Sequence, residues 1–146
     1  MKREAKAEWQ GGLQDGRGTL TTASKVLSST PYSFKSRFAD GTETNPEELI
    51  AAAHAGCFAM ALSAALGGAG HNPEYVRTDA VASMEKLEAG WTVNAIHLKV
   101  RAKVPGVDAA TFDKMAQATK DGCIISRLLK AEITMDAVLE GVPATA

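Results

Sequence analysis

The feature that most constrains this chain is a long apolar helix near its middle. Asn45 is a suitable N-cap, Pro46 fits the first helical position, and Glu48 lies three residues after the cap. The pattern continues to Leu66, and Gly67–Gly68 then stops it. Because this predicted helix is apolar on nearly every side, we expect it to be buried on every side.

The same helix is rich in small residues, which would let another backbone come close to it. They are Ala51, Ala52, Ala53, Ala55, Gly56, Ala59 and Ala61. In a chain of 146 residues, one sheet of about six strands, a usual sheet size, can cover only one side of such a helix. We therefore expect a second copy of the chain to cover the other side, which gives a dimer.

The rest of the chain alternates as expected for an α+β protein of one domain, residues 1–146. Strands are predicted at 7–10, 18–23 and 32–38, then at 78–87 and 91–104, and finally at 132–139. Asp108 is predicted to cap a second helix that ends near Gly122, and Cys123 to open a short third helix. The helices should pack on antiparallel sheets.

Composition narrows the possible functions. Hydrophobic residues make up 45% and charged residues 23%, and the net charge of -1 points to neither nucleic acid nor an anionic membrane. The segment 49–66 is mostly alanine and holds His54 and Ser63, so we do not expect it to span a membrane. No signal peptide is visible, and we expect a cytoplasmic protein. Two cysteines are too few for a disulfide scaffold. Because thiols in the cytoplasm are kept reduced, a transient disulfide in this protein would indicate function.

The two cysteines differ in their predicted surroundings. Cys57 lies in the middle of the apolar helix, where a free cysteine often only fills space. Cys123 follows Gly122 at a helix start, where backbone N–H groups and the helix dipole stabilise a thiolate. Local electrostatics alone therefore favours Cys123 as the nucleophile.

Two further residues could activate a thiol. His54 lies three residues before Cys57 on nearly the same helical face, although a histidine bonded to the backbone or to another side chain is the simpler interpretation. With Cys123 these two would give three zinc ligands, but a fourth is missing. Arg37 could stabilise a thiolate and hold a peroxide oxygen, or it could be a solvated strand residue beside Lys35.

Four segments together resemble the OsmC/Ohr family of organic hydroperoxide reductases, over residues 9–139. They are Tyr-Ser-Phe-Lys-Ser-Arg-Phe at 32–38, Asn-Pro-Glu-Glu-Leu at 45–49, Ala-His-Ala-Gly-Cys-Phe at 53–58, and Gly-Cys-Ile-Ile-Ser at 122–126. The position of Arg37 in the third predicted strand, rather than near the N-terminus, is closer to OsmC than to Ohr.

The resemblance implies an OsmC-like fold, with antiparallel sheets wrapped around a long buried central helix in an intertwined homodimer. It implies reduction of organic hydroperoxides and, less efficiently, hydrogen peroxide, in oxidative and osmotic stress responses. An external dithiol would be the reductant, with no metal, haem or flavin. By position, Cys57 would attack the peroxide and Cys123 would resolve the sulfenic acid, while Arg37 and Glu47 would form an activating ion pair. We follow this assignment of the nucleophile, because a mid-helix thiol lacks the dipole and needs an arginine.

Helix geometry adds a condition to this assignment. Glu47 and Cys57 are ten residues apart on one predicted helix, which separates them by about 15 Å along its axis. They also lie roughly 80° apart around it, from ten steps of about 100°. We therefore expect composite sites, in which Glu47 of one chain lies near Cys57 of the other. Ile124 stands where the family usually has proline after the second cysteine, which affects the geometry of resolution.

Two alternatives remain open from the sequence. The chain could be a non-catalytic, stress-related binding or structural dimer, or a thiol hydrolase that uses Cys57 and His54. Peroxide consumption tests the first alternative, and the activity of His54→Gln tests the second. For the organic part of a hydroperoxide, the sequence offers four side chains that could line an apolar pocket: Phe34, Phe38, Phe58 and Met60.

Overall fold

The computed structural model describes residues 1–141, and these form six strands and four helices. In chain order they are β1 (Ala5–Gln10), β2 (Arg17–Thr22), β3 (Thr30–Ser33), α1 (Phe34–Phe38), α2 (Pro46–Gly68), β4 (Tyr75–Leu87), β5 (Gly90–Lys103), α3 (Ala109–Gly122), α4 (Ile124–Leu128) and β6 (Glu132–Leu139). The α+β class is confirmed. The chain divides into two compact units, Met1–Leu49 and the part from Ile50 onward, so the single domain stays a prediction.

The first unit is built on an antiparallel sheet in the order β1-β2-β3. Trp9 of β1 and Tyr32 of β3 are both register partners of Gly18 in β2, and their rings lie 5.4 Å apart. A Cβ atom on Gly18 would lie 2.8 Å from the Trp9 ring and closer still to the Tyr32 ring. Gly18 is therefore required for these two aromatic residues to meet over the sheet.

The predicted third strand, residues 32–38, is wrong in its second half. β3 ends at Ser33, and Phe34–Phe38 form the short helix α1. The reason is a capping box, in which the Ser33 hydroxyl accepts from the Ser36 N–H at 3.2 Å and the Ser36 hydroxyl accepts from the Ser33 N–H at 3.0 Å. Arg37 consequently lies on a helix rather than on the polar face of a strand.

The start of α2 is confirmed, since the Asn45 side chain accepts from the Glu48 N–H at 2.8 Å. In the single chain one stripe of α2 is fully buried, at His54, Phe58, Leu62 and Leu66. Burial of the opposite side by a second copy of the chain stays a prediction. The helix is also long and apolar enough to cross a membrane by length and composition alone, a test that core helices of soluble proteins pass as well.

The second unit contains the hydrophobic core around β5. The inward side chains of β5 are at most 1% exposed, at Ile96, Leu98, Val100 and Ala102. Val104, which follows the strand, and Phe112 of α3 belong to the same core. The sheet order is β4-β5-β6, and β4 pairs with β5 in antiparallel fashion. β5 is therefore the central strand of this sheet, and its buried face lines the core.

Purely antiparallel sheets, as predicted, are wrong for one strand pair, because β5 and β6 run parallel. Two parallel strands need a crossover connection, and α3 and α4 provide it between Lys103 and Glu132. The expectation of one sheet of about six strands is also wrong, since two three-stranded sheets form instead.

Candidate active site

The two cysteines meet in the second unit. The Sγ atoms of Cys57 on α2 and Cys123 lie 3.3 Å apart, and both thiols are free. Cys57 is half-buried, whereas Cys123 is only 2% exposed. Cys123 stands between α3 and α4, where it ends the first helix and caps the second. A bond between these sulfur atoms requires only a small movement of the side chains.

The surroundings of Cys123 favour its thiolate. Burial of the side chain raises its pKa, but the N–H of Ser126, the Cys57 side chain, the N–H of Ile125 and the Ser126 hydroxyl together bring the pKa below its ordinary value. These partners come from the first turn of α4 and from α2. The electrostatic expectation for Cys123 is therefore supported by hydrogen bonding around its sulfur.

A buried histidine adjoins the cysteine pair through a serine. His54 is completely buried, and its Nε2 lies 2.8 Å from the Ser126 Oγ. Burial lowers the pKa of His54, which favours the neutral imidazole. The histidine therefore contacts the helix that follows Cys123, and sequence reasoning missed this contact because 72 residues separate the two partners.

An apolar cavity of about 320 Å³ opens beside Cys123. It is lined by Ala61, Ala65, Met115, Ala118, Thr119, Gly122 and Cys123. The small alanine side chains of α2 leave this space open. In the single chain, the cavity lies against the buried Cys123 side chain.

Arg37 and Glu47 form a bidentate ion pair in the first unit. The Arg37 Nε and Nη2 atoms lie 3.0 Å and 2.7 Å from the Glu47 Oε1, and Nε is also 3.2 Å from Oε2. The Glu47 side chain is 13% exposed and that of Arg37 40%. α1 positions the arginine, and the first turn of α2 positions the glutamate. This fork geometry fixes the guanidinium plane and leaves its remaining N–H groups available to a ligand.

A second cavity, of about 220 Å³, adjoins this ion pair. It is lined by Trp9, Leu13, Tyr32, Ser33, Phe34, Arg37, Phe38 and Pro46. Of the four side chains suggested for an apolar pocket, Phe34 and Phe38 are present here. Phe58 is instead fully buried in the core, and Met60 is 77% exposed. The cavity combines aromatic walls with one guanidinium.

The candidate residues are thus brought together as two pairs, Cys57 with Cys123 and Arg37 with Glu47. They lie in different compact units, and each pair is described within its own unit. Among residues 1–141, no group of three or more His, Cys, Asp or Glu side chains is arranged to hold a metal ion. The arrangement offers thiol chemistry at two adjacent sulfur atoms.

Comparisons with known proteins agree with these features. The family model for OsmC-like proteins matches residues 39–138. The chain is 49% identical over 140 residues to Peroxiredoxin OsmC of Escherichia coli (strain K12), which covers 96% of this chain and 98% of that protein. This level of identity indicates that the two proteins share a fold over the aligned residues.

Solved structures give the same fold. An OsmC-like protein of unknown function from Vibrio cholerae superposes with a TM-score of 0.76 at 15% identity, covering 94% of this chain and 99% of that one. The organic hydroperoxide resistance protein OhrB of Bacillus subtilis superposes with a TM-score of 0.65 at 22% identity, covering 94% and 98%. The matched family model and the 49% identical relative together establish that this chain belongs to the OsmC-like protein family.

Proposed function

We propose that this protein is a thiol peroxidase that reduces organic hydroperoxides and, less efficiently, hydrogen peroxide. The observation that carries the proposal is the 3.3 Å separation of the Cys57 and Cys123 sulfur atoms. The relative at 49% identity, which is named a peroxiredoxin, supports the same class of reaction. Two free thiols at this distance can pass between dithiol and disulfide without refolding.

In the first step, the Cys57 thiolate attacks the terminal oxygen of the hydroperoxide. An S–O bond forms, the O–O bond breaks, and the alkoxide leaves and takes a proton to become an alcohol, or water from hydrogen peroxide. Cys57 is thereby oxidised to a sulfenic acid. The assignment of Cys57 as the attacking residue is supported by its greater exposure, since Cys123 is 2% exposed and less open to a peroxide.

In the second step, Cys123 attacks the sulfenic sulfur. The S–S bond forms, the S–O bond breaks, and the departing hydroxide takes a proton to become water. An external dithiol then reduces the disulfide and regenerates both thiols. A thiol with a lowered pKa is a good leaving group in this exchange, and Cys123 has that property.

Arg37 and Glu47 orient the peroxide and stabilise charge during the first step. The carboxylate holds the guanidinium through three hydrogen-bond contacts, so the free N–H groups point in a defined direction. The aromatic cavity beside Arg37 suits an organic substituent of the hydroperoxide. This cavity favours organic hydroperoxides over hydrogen peroxide, which has no substituent to place there.

The functional unit is a homodimer in which each site takes residues from both chains. In the single chain, α2 exposes a face of small and apolar residues, namely Ala52, Ala53, Gly56, Met60 and Ala64. Such a face allows two helices to pack closely, and an isologous contact would place two copies about a two-fold axis. The Arg37–Glu47 pair of one chain would then serve Cys57 of its partner.

The test is peroxide consumption by the purified protein. Cumene hydroperoxide and hydrogen peroxide are compared, each with a lipoyl dithiol and with a simple monothiol as reductant. We expect faster reduction of cumene hydroperoxide, and no turnover by Cys57→Ser. Absence of consumption by the wild type with every reductant would instead favour a non-catalytic dimer. A thiol hydrolase is disfavoured because, within the described residues, neither ring nitrogen of His54 is hydrogen-bonded to Cys57: Nε2 lies 2.8 Å from the Ser126 Oγ, and Nδ1 has no partner.

A further inference from the structure

We propose that His54 is a positioning residue for the resolving cysteine: it holds the Ser126 hydroxyl, and through it presents Cys123 to Cys57. This inference rests on the proposed peroxidase function and assigns a role to a buried group that the reaction steps above leave unused. It concerns the second step of the reaction alone, the formation of the disulfide.

Four side chains form a connected series, in the order His54, Ser126, Cys123 and Cys57. His54 Nε2 lies 2.8 Å from Ser126 Oγ, and the sulfur of Cys123 lies 3.3 Å from that of Cys57. Ser126 lies in the first turn of α4, three residues after Cys123, which is the N-cap residue of that helix, and the hydroxyl and N–H of Ser126 both lower the pKa of Cys123. His54 and Cys57, the first and last residues of this series, are three residues apart on the same helix, α2.

The single proton of the Ser126 hydroxyl fixes the direction of the network. When that proton is donated to the Cys123 sulfur, the serine oxygen must accept from His54, so Nε2 carries the imidazole proton. Nδ1 is then an unprotonated acceptor. Within the described residues, Nδ1 is buried and has no hydrogen-bond partner, which an acceptor tolerates better than a buried N–H group does.

This direction suits the resolving step. A donor aligned on Cys123 favours its thiolate and restricts the rotation of its side chain, and both effects assist attack on the sulfenic sulfur. The S–S bond forms as the S–O bond breaks, and the departing hydroxide becomes water by taking up the proton that the Cys123 thiol released to solvent. His54 keeps its proton throughout, so it acts through Ser126 and does not contact the reacting atoms.

The experiment follows both steps in a single turnover with cumene hydroperoxide. The variants are His54→Phe, His54→Gln and Ser126→Ala, with Ser63→Ala on α2 as the matched control. A dimedone-type probe measures the Cys57 sulfenic acid, and intact mass measures the disulfide. We expect sulfenic acid to form at the wild-type rate in every variant, and disulfide formation to slow about tenfold in His54→Phe and Ser126→Ala.

Two further readouts separate positioning from simple packing. The double variant His54→Phe, Ser126→Ala should be no slower than either single variant, since both changes remove one network. His54→Gln, whose amide can still donate to Ser126, should recover much of the lost rate. In a Cys57→Ser background, alkylation of Cys123 should show a raised pKa in His54→Phe and in Ser126→Ala.

Unaltered disulfide formation in Ser126→Ala would overturn the inference, and so would additive losses in the double variant. If His54→Phe does not fold, Ser126→Ala still decides the question, since it leaves the buried histidine in place. Failure of the proposed function looks different: the wild type itself would then give neither sulfenic acid nor disulfide with peroxide.

Discussion

The sulfur atoms of Cys57 and Cys123 lie 3.3 Å apart, although 66 residues separate the two cysteines in the chain. Cys57 is held by the long helix α2, and Cys123 by the junction of α3 and α4. Two rigid elements thus bring the thiols together before any oxidation occurs. A disulfide S–S bond is about 2.05 Å long, so the sulfur atoms need to approach by little more than ~1 Å.

Replacement of Arg37 should slow the first step of the reaction. Arg37→Ala removes the guanidinium that Glu47 orients, and we expect the rate of Cys57 oxidation by cumene hydroperoxide to fall by about a hundredfold, as when a positioned donor to a transition state is lost. Stopped-flow oxidation of the reduced protein measures this rate directly.

The matched control is Lys35→Ala, which removes an exposed cation from the same short helix. It should leave the rate within about twofold of wild type, the effect expected from the loss of an exposed surface charge. Equal rates for Arg37→Ala and the wild type would remove Arg37 from the mechanism.

Loss of the α2 cap should lower stability. The Asn45 side chain accepts from the Glu48 N–H and donates to the Ser36 carbonyl at 3.0 Å. Asn45→Ala should therefore reduce the free energy of unfolding by about 0.5–2 kcal/mol. Asn45→Asp keeps the acceptor and should lose less. Urea denaturation at one fixed protein concentration measures both, and equal stability of all three proteins would contradict the assignment.

The buried His54 should make stability depend on pH. Burial lowers its pKa, so below about pH 6.5 the unfolded chain binds a proton that the folded protein does not. The contribution is fully present above that pH and is lost as the pH falls toward the lowered pKa. In urea denaturation, the free energy of unfolding of His54→Gln should fall less steeply on acidification than that of the wild type. Parallel plots of this free energy against pH would show that His54 does not cause the pH dependence.

A mixed dimer tests whether the sites are shared. One chain carries Glu47→Ala and the other carries Cys57→Ser, so a shared arrangement leaves one site intact and one without either residue. Activity should then be near half of the wild-type value. Activity no greater than that of the Glu47→Ala homodimer would mean that Glu47 acts within its own chain.

Much of the second unit could be predicted from the sequence, because its signals are local. The alternation at 132–139, the Asp108 cap and the end of α3 at Gly122 each depend on neighbouring residues, and these elements form where predicted. The parallel pairing of β5 with β6 could not be predicted in this way, since a period of two residues fixes the faces of a strand but not its direction in the sheet.

In the candidate site, too, features with a local sequence signal could be predicted, and long-range contacts could not. Residue type and motif identify Cys57 and Cys123 as candidates. Their 3.3 Å contact depends on the tertiary fold, which local sequence patterns do not fix. The helix at Phe34–Phe38 was missed because its cap uses Ser36, where the usual box has Glu or Gln. The His54–Ser126 contact had no sequence signal, because no periodicity links α2 to α4.

The most direct test of the peroxidase mechanism is the intact mass of the reduced protein after one equivalent of cumene hydroperoxide. The wild type should lose two hydrogen atoms as Cys57 and Cys123 join. Cys123→Ser should instead gain one oxygen atom, as the Cys57 sulfenic acid can no longer be resolved. Unmodified masses for both proteins would contradict the mechanism.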